Sequence, residues 1–301
     1  MPQAKNQITP LGVCLAILWI SVAGWVALRF ADPPQPQSAL DRIRETGVAR
    51  VGFANEPPYG YLVSSTGEIT GEAPEIAKVI LRRLGAKKVE PVLTEFGSLI
   101  PGLKAGRFDL TAAGMYVTPE RAQEIDFSNP TYAIGEGFIV RAGNPLKLLG
   151  YEDVADNPDA RIGVMGGSVE HGYAQKLGIP EERIVVFPDY RSAIDGIIAN
   201  RIDAAAATNL TVNDLLAKAN DDRIESAEPF ENPVIDGESI LGYGAFGFQQ
   251  HDDELRRAFN EELANFLGTP EHLQLIEPFG FGKSTLPGDV TTAQLIGSDE
   301  P

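Results

Sequence analysis

Two segments of this chain, about ninety residues apart, echo each other. Lys104 to Gly114 reads KAGRFDLTAAG, and Ile198 to Thr208 reads IANRIDAAAAT. Aligned without gaps, Ala105 matches Ala199, Arg107 matches Arg201 and Asp109 matches Asp203, with Ala112 and Ala113 on Ala206 and Ala207. Each copy is a helix end, a turn carrying Arg, then Asp leading an apolar strand. Chance convergence on helix–turn–strand chemistry is one account. Two similar lobes, each with an equivalent strand, is the sharper one, and 301 residues leave room for about two domains. In open α/β sheets ligands bind outside the carboxyl ends of the strands. The two ends, read as Gly114 and Thr208, are expected to face each other across a cleft.

The rest of the pattern agrees with an α/β class. Val48 to Ala54 reads as a strand. Glu72 to Leu84 reads as a helix, with Ile76, Ile80, Leu81 and Leu84 on one face, Pro74 in the first turn and Gly85 as the stop. Val89 to Thr94 is a strand, Ser98 to Ala105 a short helix and Phe108 to Ala113 a strand. Strands interleaved with helices predict mostly parallel sheets.

The first residues stand apart. Between Lys5 and Arg29, the apolar run Leu11 to Leu28 carries no charge. It reads as a signal peptide or a membrane anchor over residues 1–31. Cys14, the single cysteine, lies inside it, at the front of the run rather than after it, which argues against lipidation. The proline-rich DPPQPQS of Asp32 to Ser38 reads as a linker over 32–39. Export to the periplasm follows, with tethering by residues 11–28 as the variant.

Charge then excludes partners. The chain has 25 bases and 42 acids, a net charge of −17. That balance argues against nucleic acid and against an anionic membrane surface. Three scattered histidines and no thiolate outside the leader leave no metal-ligand spacing and no cofactor motif.

Around the first strand end runs Gly114-Met115-Tyr116-Val117-Thr118-Pro119-Glu120-Arg121, then Asp126 to Tyr132. Thr118 and Pro119 start a helix, which places Arg121 in its first turn. A cation there opposes the helix dipole, so the position has either a task or full solvation. Guanidinium pairing with a ligand carboxylate is the task that suits Arg.

GMYVTPERAQEIDFSNPTY resembles the signature of type 3 solute-binding proteins of ABC importers, the polar amino-acid group. The resemblance covers about residues 40–285. At finer grain, FANEPPYGY, TEFGSLIPGLKAGRFD, AAGMYVTPER, IVVFPD, YGAFGF and GTPEHLQLIEPFGF resemble the ectoine/hydroxyectoine-binding proteins. It implies the type II periplasmic-binding-protein fold: two α/β lobes joined by two crossing strands near Gly135 to Arg141 and Gly242 to Phe248. Lobe one is expected at 40–137 plus 243–290, lobe two at 138–242, and a tail at 291–301.

By the same resemblance, Arg121 holds a ligand carboxylate. Ser168, with Gly167, caps that carboxylate from lobe two, where small residues let N–H groups approach an anion. Two departures matter. Amino-acid binders usually end the second echoed strand with Asp, and here it is Thr208, followed by Asn209. They usually carry Ser or Thr at Tyr116. An ordinary L-amino acid is therefore in doubt. Glu56, Tyr59, Phe96 and Tyr116 follow lobe-one strands and, with Gly114, suggest an aromatic box with one acid. That suits a compact delocalised cation, such as the amidinium ring of ectoine. Each residue has a plainer reading: loop packing for Tyr59 and Phe96, a solvated acid for Glu56, an ordinary turn at Gly166-Gly167-Ser168. With one acid and one base assigned, the pocket is expected to be near neutral.

The implied function is capture, as a monomer, of a small zwitterionic compatible solute and delivery to an ABC permease, with no catalysis. The alternatives are another polar amino acid or betaine-like solute, a tethered sensor, or a cyclic-carboxylate dehydratase using Glu56.

Overall fold

A computed structural model of the protein describes residues 38–298. The apolar leader and nearly all of the linker lie outside the described residues, so export and tethering are not addressed by it. Among the described residues no helix is long and apolar enough to cross a membrane.

The chain runs α1 (Ala39–Thr46), β1 (Val48–Phe53), a β2–β3 hairpin (Tyr61–Leu62, Ile69–Thr70), α2 (Glu72–Arg83), β4 (Lys88–Leu93) and α3 (Leu99–Lys104). Next come β5 (Leu110–Tyr116), α4 (Pro119–Ala122), β6 (Asp126–Phe127), β7 (Tyr132–Ile134) and β8 (Glu136–Arg141). Then follow α5 (Tyr151–Asp156), β9 (Ile162–Met165), α6 (Val169–Lys176), β10 (Ile184–Phe187), α7 (Tyr190–Ile198), β11 (Ala204–Thr208), α8 (Asn209–Ala219) and β12 (Ile224–Ser226). A β13–β14 hairpin (Val234–Ile235, Glu238–Ser239) precedes β15 (Gly242–Phe248), α9 (Asp253–Phe266), α10 (Pro270–Ile276) and α11 (Thr292–Ile296).

Two main sheets result. The first has the order β4-β1-β5-β15-β6, with β7 also on β15; the second has the order β10-β9-β11-β8-β12. The chain leaves the first sheet between β7 and β8 and returns at β15. The sheets are mixed, which corrects the expectation of mostly parallel pairing. β1 is parallel to β4 and β5, and β9 to β10 and β11. β15 runs antiparallel to β5, β6 and β7, and β8 to β11 and β12. Parallel neighbours need a crossover helix between them. β8 and β15 arrive from the other sheet instead, so nothing obliges them to run parallel.

The echo extends to hydrogen bonding. The Arg50 N–H donates to the Asp109 carboxylate at 2.7 Å, and the Asp109 N–H returns a bond to the Arg50 carbonyl at 2.9 Å. Arg161 and Asp203 repeat both bonds at 2.9 and 2.8 Å. Each Asp is buried and also carries guanidinium partners, Arg42 and Arg50 on Asp109 and Arg141 on Asp203. Asp is required because it neutralises these cations and also closes the strand's first backbone bond. The turn before each Asp matches too: Arg107 N–H donates to Gly102 and Arg201 N–H to Gly196.

The helices cover the sheets with apolar stripes. In α2, Ile76, Ile80 and Leu81 are fully buried, while Glu72 and Glu75 in the first turn and Arg82 and Arg83 in the last suit the helix dipole. In α9, Leu255, Phe259, Leu263 and Phe266 form the buried face, and truncating Phe259 to Ala costs about 3–5 kcal/mol. Residues 291–298, expected as a tail, carry α11, capped by Thr291 and tied down by the Thr292 hydroxyl on the Ser128 carbonyl at 2.5 Å. One apolar cluster joins the two halves, including Leu99, Leu103 and Phe96 from the first and Met165, Phe187 and Ile197 from the second.

Candidate ligand-binding site

Strand β1 ends at Phe53, and the chain then folds into a tight turn. The Glu56 N–H donates to the Gly60 carbonyl at 2.8 Å, and the Tyr59 and Gly60 N–H groups donate to the Glu56 carbonyl at 2.9 and 3.1 Å. This closed turn points Glu56 and Tyr59 into one cavity, lined also by Phe96, Gly114, Tyr116, Arg121, Ser168 and Thr208. Eight of the ten residues expected from the sequence thus meet at one place. Gly167 borders it through its carbonyl, which accepts from Arg121. Asn209 does not line this cavity. It is the exposed first residue of α8, turned toward a separate depression beside Gly135 and Asn213. The helix start turns it away, because Thr208 takes the capping position.

The strand bounds need one correction. β5 continues to Tyr116, so Gly114 is not its end but an interior residue with φ +65°. A Cβ there would lie 2.4 Å from the Tyr59 ring, and the Gly114 carbonyl accepts from the Tyr132 hydroxyl at 2.8 Å. Both the backbone region and the ring's approach require glycine. Tyr59 is buried, with Tyr132 and Phe281 rings at 5.4 and 5.6 Å. Tyr116 lies across Gly242 of the returning strand, where a Cβ would meet its ring at 1.7 Å.

The two halves touch through polar groups. The Tyr59 hydroxyl donates to Thr208 Oγ1 at 2.7 Å. Thr208 also caps α8 by accepting from the Thr211 N–H at 3.2 Å. Arg121 donates to the Tyr116 carbonyl at 2.8 Å and across to the Gly167 carbonyl at 2.9 Å. Its guanidinium carbon sits 5.5 Å from the centre of the Phe96 ring. Gly167, at φ +82°, packs against Gly97 so closely that a Cβ would lie 2.5 Å from the Gly97 Cα.

Charge is where the sequence reading falls short. Glu170, in the first turn of α6, lines the same cavity. Glu136, the first residue of β8 and the ladder partner of Thr208, borders the neighbouring depression with Asn209, and its buried carboxyl acts on Glu170, Tyr116 and Glu56. Three buried carboxyls therefore accompany Arg121, and the expectation of one acid and one base is corrected. Burial pushes the Glu56 carboxyl well up, Glu170 pushes it further, and Arg121 opposes both. Glu170 was legible two positions after Ser168. Glu136 was the one acid in the apolar stretch GEGFIV, a sign of a buried task. Tyr190 and Met165, also lining residues, had no distinguishing signal. Phe187 is core, and Asp189 caps α7 by accepting from the Ser192 N–H at 2.7 Å. Among the described residues no group of His, Cys, Asp or Glu could hold a metal ion.

The chain matches the bacterial extracellular solute-binding proteins, family 3, over residues 49–282. A probable amino-acid ABC transporter periplasmic-binding protein of Sinorhizobium fredii is 38% identical over 282 residues, 92% of this chain and 92% of that protein. The histidine-binding periplasmic protein of Salmonella typhimurium is 26% identical over 230 residues, 74% of this chain and 85% of that one. Among solved structures, EhuB in complex with hydroxyectoine aligns with a TM-score of 0.79 at 37% identity, covering 86% of this chain and 97% of that one. An ancestral amino acid-binding protein, a precursor of cyclohexadienyl dehydratase, aligns with a TM-score of 0.68 at 25% identity, covering 80% and 99%.

Proposed function

This chain belongs to the family 3 bacterial extracellular solute-binding proteins, and from that premise we propose that its ligand is ectoine or hydroxyectoine, delivered to an ABC permease. The observation that carries the reading is the pairing of Glu56 and Arg121 in one aromatic-lined cavity whose second-lobe strand ends in Thr208. Arg121 takes the carboxylate and Glu56 the amidinium, while Tyr59, Phe96 and Tyr116 enclose the ring. Ser168 completes the carboxylate end. Thr208, already engaged by Tyr59, offers no carboxylate to a primary ammonium. The likeness to EhuB supports the same ligand class.

The mechanism is capture by closure. The ligand binds lobe one first, and lobe two then adds Thr208, Gly167 and Ser168. Only contacts made in the closed form favour closure. A micromolar dissociation constant corresponds to about −8 kcal/mol. Two charge-assisted pairs and a buried ring supply that after ordering costs. The closed protein then docks on the permease. Export by the leader, and action as a monomer, belong to the same reading.

A second reading has its own support: the two further carboxyls at Glu136 and Glu170 favour a basic amino acid, as in the histidine-binding relative. Mass spectrometry of the ligand retained by protein purified from its native host decides. Ectoine or hydroxyectoine supports the first reading; histidine or arginine replaces it with the second.

A further inference from the structure

Glu136 and Glu170 come from different elements and act on each other beside the cleft, Glu170 lining it and Glu136 paired with the lining residue Thr208. Glu136 opens β8, and its N–H donates to the Asn232 side-chain oxygen at 2.8 Å, which fixes the strand's start. Glu170 lies in the first turn of α6, beside Ser168. Their residues are 3% and 2% exposed. Neither carboxyl oxygen of Glu136 receives a well-formed hydrogen bond, and nor does Oε2 of Glu170. The Tyr190 hydroxyl lies 3.5 Å from Oε1 of Glu170, and the Ser168 hydroxyl also acts on this carboxyl. Arg121, the cation acting on Glu170, directs its two terminal nitrogens to carbonyls.

Two ionised carboxylates acting on each other in a buried site would bear both desolvation and mutual repulsion. A proton between them removes the repulsion and satisfies an oxygen on each. We propose that Glu136 and Glu170 share a proton, and that the protonation of this pair sets the net charge of ligand that the cleft accepts. The second half rests on reading the cleft as a zwitterion site. Glu56 and Arg121 cancel, and a zwitterion adds no net charge. A fully ionised pair leaves the buried cleft two charges negative and favours a ligand that brings positive charge. With the shared proton the pair carries one negative charge instead of two, which weakens that preference and shifts the balance toward the zwitterion.

The groups facing the pair set its titration. From α6 come Ser168, at its cap, and Tyr173; from α7, Tyr190; from α4, Arg121; from β5, Tyr116; from α5, Tyr151; from the turn after β1, Glu56. Burial holds both carboxyls above the usual range; Glu170 pushes Glu136 further up while the Tyr116 hydroxyl opposes, and Ser168 and Arg121 oppose at Glu170.

The test is calorimetric titration with ectoine, and with L-arginine as the cationic probe, between about pH 6 and 8.5. In the wild type, ectoine affinity should fall about tenfold over that range while L-arginine gains relative to it. Glu136→Gln, which leaves Glu170 a neutral partner, should flatten the ectoine profile. A flat wild-type profile, or the same slope in Glu136→Gln, overturns the proposal. If neither probe binds, the ligand reading fails by itself. The pair is then judged on the ligand-free protein by infrared spectroscopy at neutral pH. Glu136→Gln and Glu170→Gln should each lose protonated-carboxyl C=O intensity. An unchanged band in both overturns the shared proton.

Discussion

The Tyr59 hydroxyl, presented by the turn after β1, donates to Thr208 Oγ1 at the end of β11, 2.7 Å away and 149 residues later. This bond ties the two echoed halves at the site itself. Removing it with Tyr59→Phe leaves the ring and its packing in place. A neutral hydrogen bond contributes about 0.5–1.5 kcal/mol. Because the bond spans the lobes, ligand affinity should fall roughly three- to tenfold, with the thermal midpoint of the free protein little changed. Titration calorimetry with scanning calorimetry on the same variant checks both. Thr208→Asp is the converse change and should move preference toward primary-ammonium ligands.

Closure can be tested without touching a ligand contact. The Gly97 backbone passes so near the other half that a Cβ there lies 3.2 Å from the Gly166 carbonyl oxygen. Gly97→Val adds branches that this seam cannot hold. The variant should keep its fold and stay extended by small-angle scattering when ligand is added. Compaction equal to that of the wild type would remove the seam from the closing mechanism.

The pH dependence of stability follows from two buried groups, Glu72 and His272. Burial pushes the Glu72 carboxyl up to about 8, against a hydrogen bond from Thr131. Its folded state holds a proton that the unfolded chain has released, so stability drops as pH rises from about 4.5 toward 8. The slope approaches about 1.4 kcal/mol per pH unit for one proton. Burial pushes His272 the other way, down to about 4, so stability also drops as pH falls from about 6.5. Its Nδ1 accepts from the Gly268 N–H at 3.1 Å, as a neutral ring requires. Glu72→Gln should therefore be more stable than the wild type near pH 8 and weaken the alkaline decline in thermal melts. An unchanged slope would mean that Glu72 is ionised in the folded protein.

How far the sequence reaches is clear from individual residues. The echo located the paired Asp109 and Asp203 and the two strands they open, because backbone closure by Asp is a local device with a local pattern. Glu56 and Tyr59 were legible as residues following β1, because that strand's end is a local pattern. Gly114 was legible as a cleft residue but not as a strand interior, since its positive φ is imposed by the Tyr59 ring from a distant turn. Strand direction at β8 and β15 was not legible, because it depends on which sheet a strand enters. Glu136 escaped because its partner, Glu170, is brought to it only by tertiary folding. The charge of a buried site is a property of the assembled cleft, and the overall charge of −17 says nothing of it.

The central claim is that Arg121 and Glu56 hold a small zwitterion by its two ends. Titration calorimetry of ectoine into the wild type and Arg121→Ala tests it most directly. Ectoine should bind at one site with a micromolar or tighter constant and lose at least about thirtyfold in Arg121→Ala, since truncating one partner of a buried charge pair costs about 2–5 kcal/mol. Unchanged affinity in Arg121→Ala, or no heat from ectoine and hydroxyectoine while an L-amino acid binds, would contradict it.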